Sequence, residues 1–236
     1  MVGIQNTSRK FTLINLFIST LLTIWIAAVS TTGIAVADQL ADPSTEQEPD
    51  DHILVVGDSI SSAYGMSAED GWVSHLQTRA KKEFNVKVVN ASVTGDTTGN
   101  GLGRLPKLLR EYQPALLIIE LGGNDGLRGL SIKKLRQNLH DMAAAAKDTG
   151  ADVIIVGVQL PGNYGKAYNK LFSNSFSQAA ADSGASLVPS LFEGMNAAPK
   201  WFQSDGIHPS VLAQPVMFEN VWRVAQPLLE KLVQTE

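Results

Sequence analysis

A chain of 236 residues with a formal net charge of −4 is long enough for one well-cored domain, and the mild acidity, with no basic stripe, argues against nucleic acid as a partner. The sequence contains no cysteine. That excludes a thiol nucleophile, a disulfide framework, thiolate metal sites and a lipid anchor on an N-terminal cysteine.

In chain order, Arg9 and Lys10 precede an uncharged stretch from Phe11 to Ala37 that closes on Ala35-Val36-Ala37, small-x-small, before Asp38. This pattern predicts a secretory signal over residues 1–37 and export of the rest to the periplasm or the medium. Residues 11–37 are also long enough to span a bilayer, so an uncleaved anchor stays open as the alternative. Without the anchor, no stable membrane insertion is expected. Residues 38–51 are acidic, with Pro43 and Pro49, and read as a flexible lead-in; residues 52–236 form the domain.

From His52 onward, short apolar runs alternate with longer amphipathic stretches. Strands are expected over residues 52–56, 86–90, 115–121, 152–158 and 186–189. Unbroken runs such as Leu116-Leu117-Ile118-Ile119 suit strands buried on both faces, hence a parallel sheet. Residues 131–148 place Ile132, Leu135, Leu139, Met142, Ala143 and Ala146 on one helical face, with Ser131 as cap and Gly150 as stop. Further helices are expected near residues 68–82, 101–111, 168–183 and 214–233, with Pro227 kinking or breaking the last. Five β-α units predict an α/β fold, a three-layer α/β/α sandwich on a five-stranded parallel sheet of flavodoxin-like type. In such sheets function gathers beyond the carboxyl ends of the strands, where Ser59, Gly95 and Asn124 all fall.

Gly57-Asp58-Ser59-Ile60 follows the first apolar run directly. A serine hydroxyl becomes a nucleophile only with a base to take its proton and donors to hold the oxyanion. Of four histidines, His52, His75 and His140 sit in ordinary strand or helix contexts. His208 lies in a Gly/Pro-bounded loop, Asp205-Gly206-Ile207-His208-Pro209, with an aspartate three residues earlier. Each piece has a plainer reading. Ser59 and Asp58 could cap a helix, Asp205 could make a turn, and His208 could be a hydrogen-bonded loop residue. Gly122-Gly123-Asn124-Asp125 could simply turn the chain. The series Gly99, Gly101, Gly103 has the wrong spacing for a dinucleotide loop, and Ser61 occupies the position where an α/β-hydrolase elbow needs glycine.

Taken in order, Gly57-Asp58-Ser59-Ile60, Gly95, Gly122-Gly123-Asn124-Asp125 and Asp205-Gly206-Ile207-His208 resemble the four blocks of the SGNH (GDSL) hydrolases, with Ile60 replacing the usual leucine of the first block. Supporting segments include Asn90-Ala91-Ser92, Arg104-Leu105-Pro106 and Asn163-Tyr164-Gly165. The likeness runs from His52 to about Leu229 and is strongest to periplasmic members with thioesterase, lysophospholipase and arylesterase activity. The resemblance implies Ser59 as nucleophile and His208 as general base, oriented by Asp205. It implies an oxyanion hole from the N–H of Ser59, the N–H of Gly95 and the Asn124 amide. It also implies acyl transfer without cofactor or metal, and an acyl ester or thioester substrate such as a lysophospholipid, handled by a monomer. Leu127, Leu130 and Tyr164 would contact a fatty chain or, equally, serve as ordinary packing. A carbohydrate O-deacetylase of the same fold and a non-catalytic binding module are the rival readings.

Overall fold

The computed structural model describes residues 52–196 and 198–234. The expectations for residues 1–51, signal or anchor and lead-in, lie outside the described residues. The first apolar run, Ile53 to Val56, is sealed from solvent on both sides because it becomes an inner strand of a parallel sheet. The strands are β1 (His52–Gly57), β2 (Lys87–Asn90), β3 (Leu116–Glu120), β4 (Asp152–Val156) and β5 (Ser186–Val188), in spatial order β2-β1-β3-β4-β5. All four pairings are parallel. The chain leaves β1 toward β2 on one side and returns as β3 on the other. This reversal opens a crevice at the carboxyl ends of β1 and β3, where Gly57 is in register with Glu120.

Helices α1 (Trp72–Phe84) and α6 (Gln214–Gln234) pack together on one face. Helices α2 (Thr98–Tyr112), α4 (Ile132–Lys147) and α5 (Lys166–Ser183) cover the other. A single turn and a half, α3 (Gly123–Leu127), sits on the rim after β3. The helical face read from residues 131–148 is the buried one, with Leu135, Leu139, Met142, Ala143 and Ala146 all out of solvent, and the Ser131 side chain caps it at the Lys134 N–H. On the α5 side, Phe172 and Phe176 meet edge-on at 5.1 Å.

Three expectations are corrected. The helix expected from residue 68 starts at Trp72, because extended backbone at Gly71 separates it from a short 3₁₀ turn, Ala68–Asp70. Helix α2 starts at Thr98, earlier than expected, since the Thr97 side chain accepts the Asn100 N–H at its N-terminus. Helix α6 is not broken at Pro227 but runs on to Gln234. One lost backbone hydrogen bond there is offset by core burial of Val221, Trp222, Ala225 and Leu229 on both sides of the proline.

Candidate active site

The rim at the carboxyl ends of the strands gathers residues from three distant parts of the chain. Ser59 leaves β1 in a tight turn in which Ser62 and Tyr64 donate back to the carbonyls of Asp58 and Ser59. Its Oγ lies 3.0 Å from His208 Nε2, and His208 Nδ1 lies 2.6 Å from Asp205 Oδ2. The other oxygen of Asp205 accepts the backbone N–H of Ile207 (2.9 Å) and of His208 (3.0 Å). The aspartate three residues before the histidine thus folds the loop and engages the ring at once. Burial alone would raise the Asp205 carboxyl, but the His208 ring, the two N–H donors and the imidazole's charge outweigh it and hold it at about 2. A carboxylate held ionised can only accept, so Nδ1 of His208 carries a proton, and in the neutral imidazole the Nε2 lone pair faces the serine. Tyr64 lies against the imidazole, with ring centroids 4.6 Å apart.

Ser59, Gly95 and Asn124, the expected oxyanion donors, follow β1, β2 and β3, three adjacent strands of the sheet. Among the described residues, no protein acceptor takes the N–H of Ser59 or of Gly95. Gly95 adopts φ +84°, in the left-handed region that favours glycine. Asn124 is in the first turn of α3, reached through Gly122 at φ +126°. A Cβ on Gly122 would stand 3.0 Å from Phe176 Cζ. Gly122→Ala is expected to lower stability by about 1–3 kcal/mol through backbone strain, read by urea denaturation. Neighbouring Asp125 is buried and accepts both the N–H (2.8 Å) and the hydroxyl (2.6 Å) of Thr98, tying α3 to the start of α2.

Behind the serine stand two acids that sequence reasoning did not bring together. Asp58, 1% exposed, accepts the Ile60 N–H on Oδ1 and the Asn124 amide on Oδ2, both at 3.0 Å. Glu120 is fully buried at the end of β3 and accepts the Ser61 hydroxyl at 2.6 Å. Burial pushes Asp58 up to about 6, against the pull of its donors and the His208 charge, with Asp125 adding to the rise. Burial, with the Asp58 charge beside it, raises Glu120 well above the usual carboxylate range. The available signal was an acid closing an otherwise apolar strand run. Between about pH 4 and 6 the folded protein holds an Asp58 proton that the unfolded chain has released, so stability falls as pH rises across that window. Asp58→Asn is expected to flatten that fall in part, Glu120 acting in the same direction; denaturant titrations across the window measure it.

A cavity of about 660 Å³ opens beside these groups, within the range of small-molecule sites. Ile60, Gly123, Gly206 and Ile207, chain neighbours of Ser59, Asn124, Asp205 and His208, form its near wall; Val158, Leu160, Phe192 and Phe202 are among its apolar wall residues. Of the three expected acyl contacts, Leu127 lines it. Leu130 and Tyr164 stand outside the lining, 44% and 36% exposed. The Tyr164 hydroxyl instead donates to the Leu127 carbonyl at 3.0 Å, bracing the segment that carries Leu127.

Residues 55–214 match the model of the GDSL-like lipase/acylhydrolase family. The chain is 50% identical over 186 residues to an esterase of Pseudomonas aeruginosa, covering 78% of this chain and 92% of that protein. It is 40% identical over 179 residues to a thioesterase 1/protease 1/lysophospholipase L1 of Escherichia coli, covering 76% and 85%. A solved esterase from Pseudoalteromonas sp., inhibited by monoethylphosphonate, superposes with a TM-score of 0.71 at 35% identity, covering 76% of this chain and 99% of that one.

Proposed function

We propose, from the premise that the chain belongs to the GDSL-like lipase/acylhydrolase family, a mechanism in which Ser59, His208 and Asp205 hydrolyse acyl esters and thioesters through an acyl-enzyme. The chain is an esterase/thioesterase-type serine hydrolase acting on small-molecule esters. The observation that carries the residue assignment is the 3.0 Å contact between Ser59 Oγ and His208 Nε2.

His208 Nε2 takes the Ser59 proton as Oγ attacks the substrate carbonyl carbon. Negative charge collects on the former carbonyl oxygen and is met by the N–H of Ser59, the N–H of Gly95 and the Asn124 amide. Collapse breaks the bond to the alcohol or thiol, which leaves with the proton from His208. Water then gives its proton to His208, attacks the acyl carbon and releases the acid, restoring Ser59. Asp205 keeps its charge throughout and holds the imidazole in the required tautomer.

The apolar cavity favours a hydrocarbon acyl chain, including that of a lysophospholipid, over an acetylated sugar. A panel of p-nitrophenyl esters of graded chain length, an acyl thioester, a lysophospholipid and an acetylated sugar tests this. Fatty esters and the thioester are expected to turn over with chelator present; faster cleavage of the acetylated sugar would favour a deacetylase. The same reading includes action as a monomer and export through residues 1–37. Mass spectrometry of periplasmic or secreted protein is expected to find Asp38 at its N-terminus, whereas Arg9 retained in membranes would favour the anchor.

A further inference from the structure

The Asn124 amide has both of its protons engaged before any substrate arrives. Nδ2 donates to Asp58 Oδ2 and to the Asp96 carbonyl, each at 3.0 Å, while Oδ1 accepts from Arg128 at 3.3 Å. The side chain is held at three points, so its direction is fixed by the groups around it. Of these, Asp58 alone also reaches the turn that carries Ser59, through the Ile60 N–H.

We infer that Asp58 is a positioning residue: its carboxylate bridges the nucleophile's turn and the Asn124 amide, and so sets the spacing between Ser59 and the donor that meets the oxyanion. The inference rests on the reading of Asn124 as an oxyanion donor. Both groups that Asp58 contacts in this bridge are N–H donors. The bridge therefore needs an acceptor at each end, which a carboxylate provides and a side-chain amide does not. Placing an acid here, 1% exposed and beside the fully buried Glu120, works against stability. A residue serving the fold alone would not need that arrangement. An oxyanion in the site draws on an Asn124 N–H already committed to Asp58 or to the Asp96 carbonyl. The donor is thus shared at the transition state, and Asp58 keeps the amide from rotating away.

Asp58→Asn keeps the shape and forces one donor-to-donor contact in the bridge. It is expected to lower kcat roughly 10–100-fold, the usual cost of mispairing one buried polar group, with KM within about twofold. A double-mutant cycle with Asn124→Ala separates positioning from general loosening. If Asp58 acts through Asn124, Asp58→Asn costs less than about threefold further in the Asn124→Ala background. Effects that multiply in full, or a kcat near wild type for folded Asp58→Asn, would overturn the inference while leaving the Ser59 mechanism intact. A near-normal kcat for Asn124→Ala alone would instead remove the oxyanion reading, and this inference with it. Should Asp58→Asn not fold, the side-chain amide signals of Asn124 in the wild-type ¹⁵N–¹H spectrum, identified by their loss in Asn124→Ala, decide. Two distinct resonances with slowed exchange, of which one shifts when a phosphonate occupies Ser59, are expected. Exchange at the rate of a free amide would contradict the bridge.

Discussion

Replacing His208 with alanine is expected to lower kcat by roughly 10⁴–10⁶-fold, the span seen when members of a Ser-His-Asp set are deleted, with a fold that still melts cooperatively. The reason is local. Among the described residues, Ser59 Oγ has one base in reach, His208 Nε2 at 3.0 Å, and an alcohol that keeps its proton is a poor nucleophile. The imidazole side chain is 21% exposed, so its removal opens no core cavity. Asp205→Ala should cost less than His208→Ala, because Asp205 orients the ring without carrying the proton. Since the Asp205 carboxyl is held at about 2, it stays charged through mildly acidic and neutral conditions. Loss of rate on acidification therefore does not come from Asp205; it falls to His208 and to Asp58, whose carboxyl is pushed up to about 6, and the His208 variant should keep only the Asp58 part of that limb. Steady-state rates with an activated ester across pH, on protein checked by thermal melting, provide the test.

Asn124→Ala is expected to lower kcat by roughly 10²–10³-fold with little change in KM, the usual result of removing one oxyanion donor. The amide meets charge that exists only in the transition state, so kcat and kcat/KM should fall together. Asn124 also donates to Asp58 and to the Asp96 carbonyl. Truncation therefore leaves a nearly buried carboxylate short of one partner, and melting should fall alongside the rate. A merely structural asparagine would lower melting and leave kcat near wild type. Measuring both on one preparation distinguishes the two.

The parts of this site that could be read from sequence are those whose signal is local. The apolar run into Ser59 marks a strand end, and the three-residue step from Asp205 to His208 lets one carboxylate cap the loop and hold the ring. The sheet was legible for the same reason, since each inner strand is an unbroken Val/Ile/Leu run. What stayed hidden depends on long-range register. Asp58 reads as a helix cap until β1 and β3 lie side by side, bringing it to Asn124 and near Glu120. The cavity wall draws on segments around residues 158–162, 192–196 and 199–207, whose side chains meet only after β4 and β5 are placed. Leu130 follows α3 at the surface, and Tyr164, in the short turn Gly162–Tyr164 after β4, directs its hydroxyl to the Leu127 carbonyl, so neither lines the cavity.

The most direct test of the mechanism is the site of covalent capture. The protein is treated with a fluorophosphonate, assayed for residual esterase activity and mapped by peptide mass spectrometry. One adduct per chain, on Ser59, with activity lost in proportion and no labelling in the His208→Ala variant on the same timescale, is the expected result. Adduct formation at another residue, or full activity in protein phosphonylated at Ser59, would contradict an acyl-enzyme on Ser59.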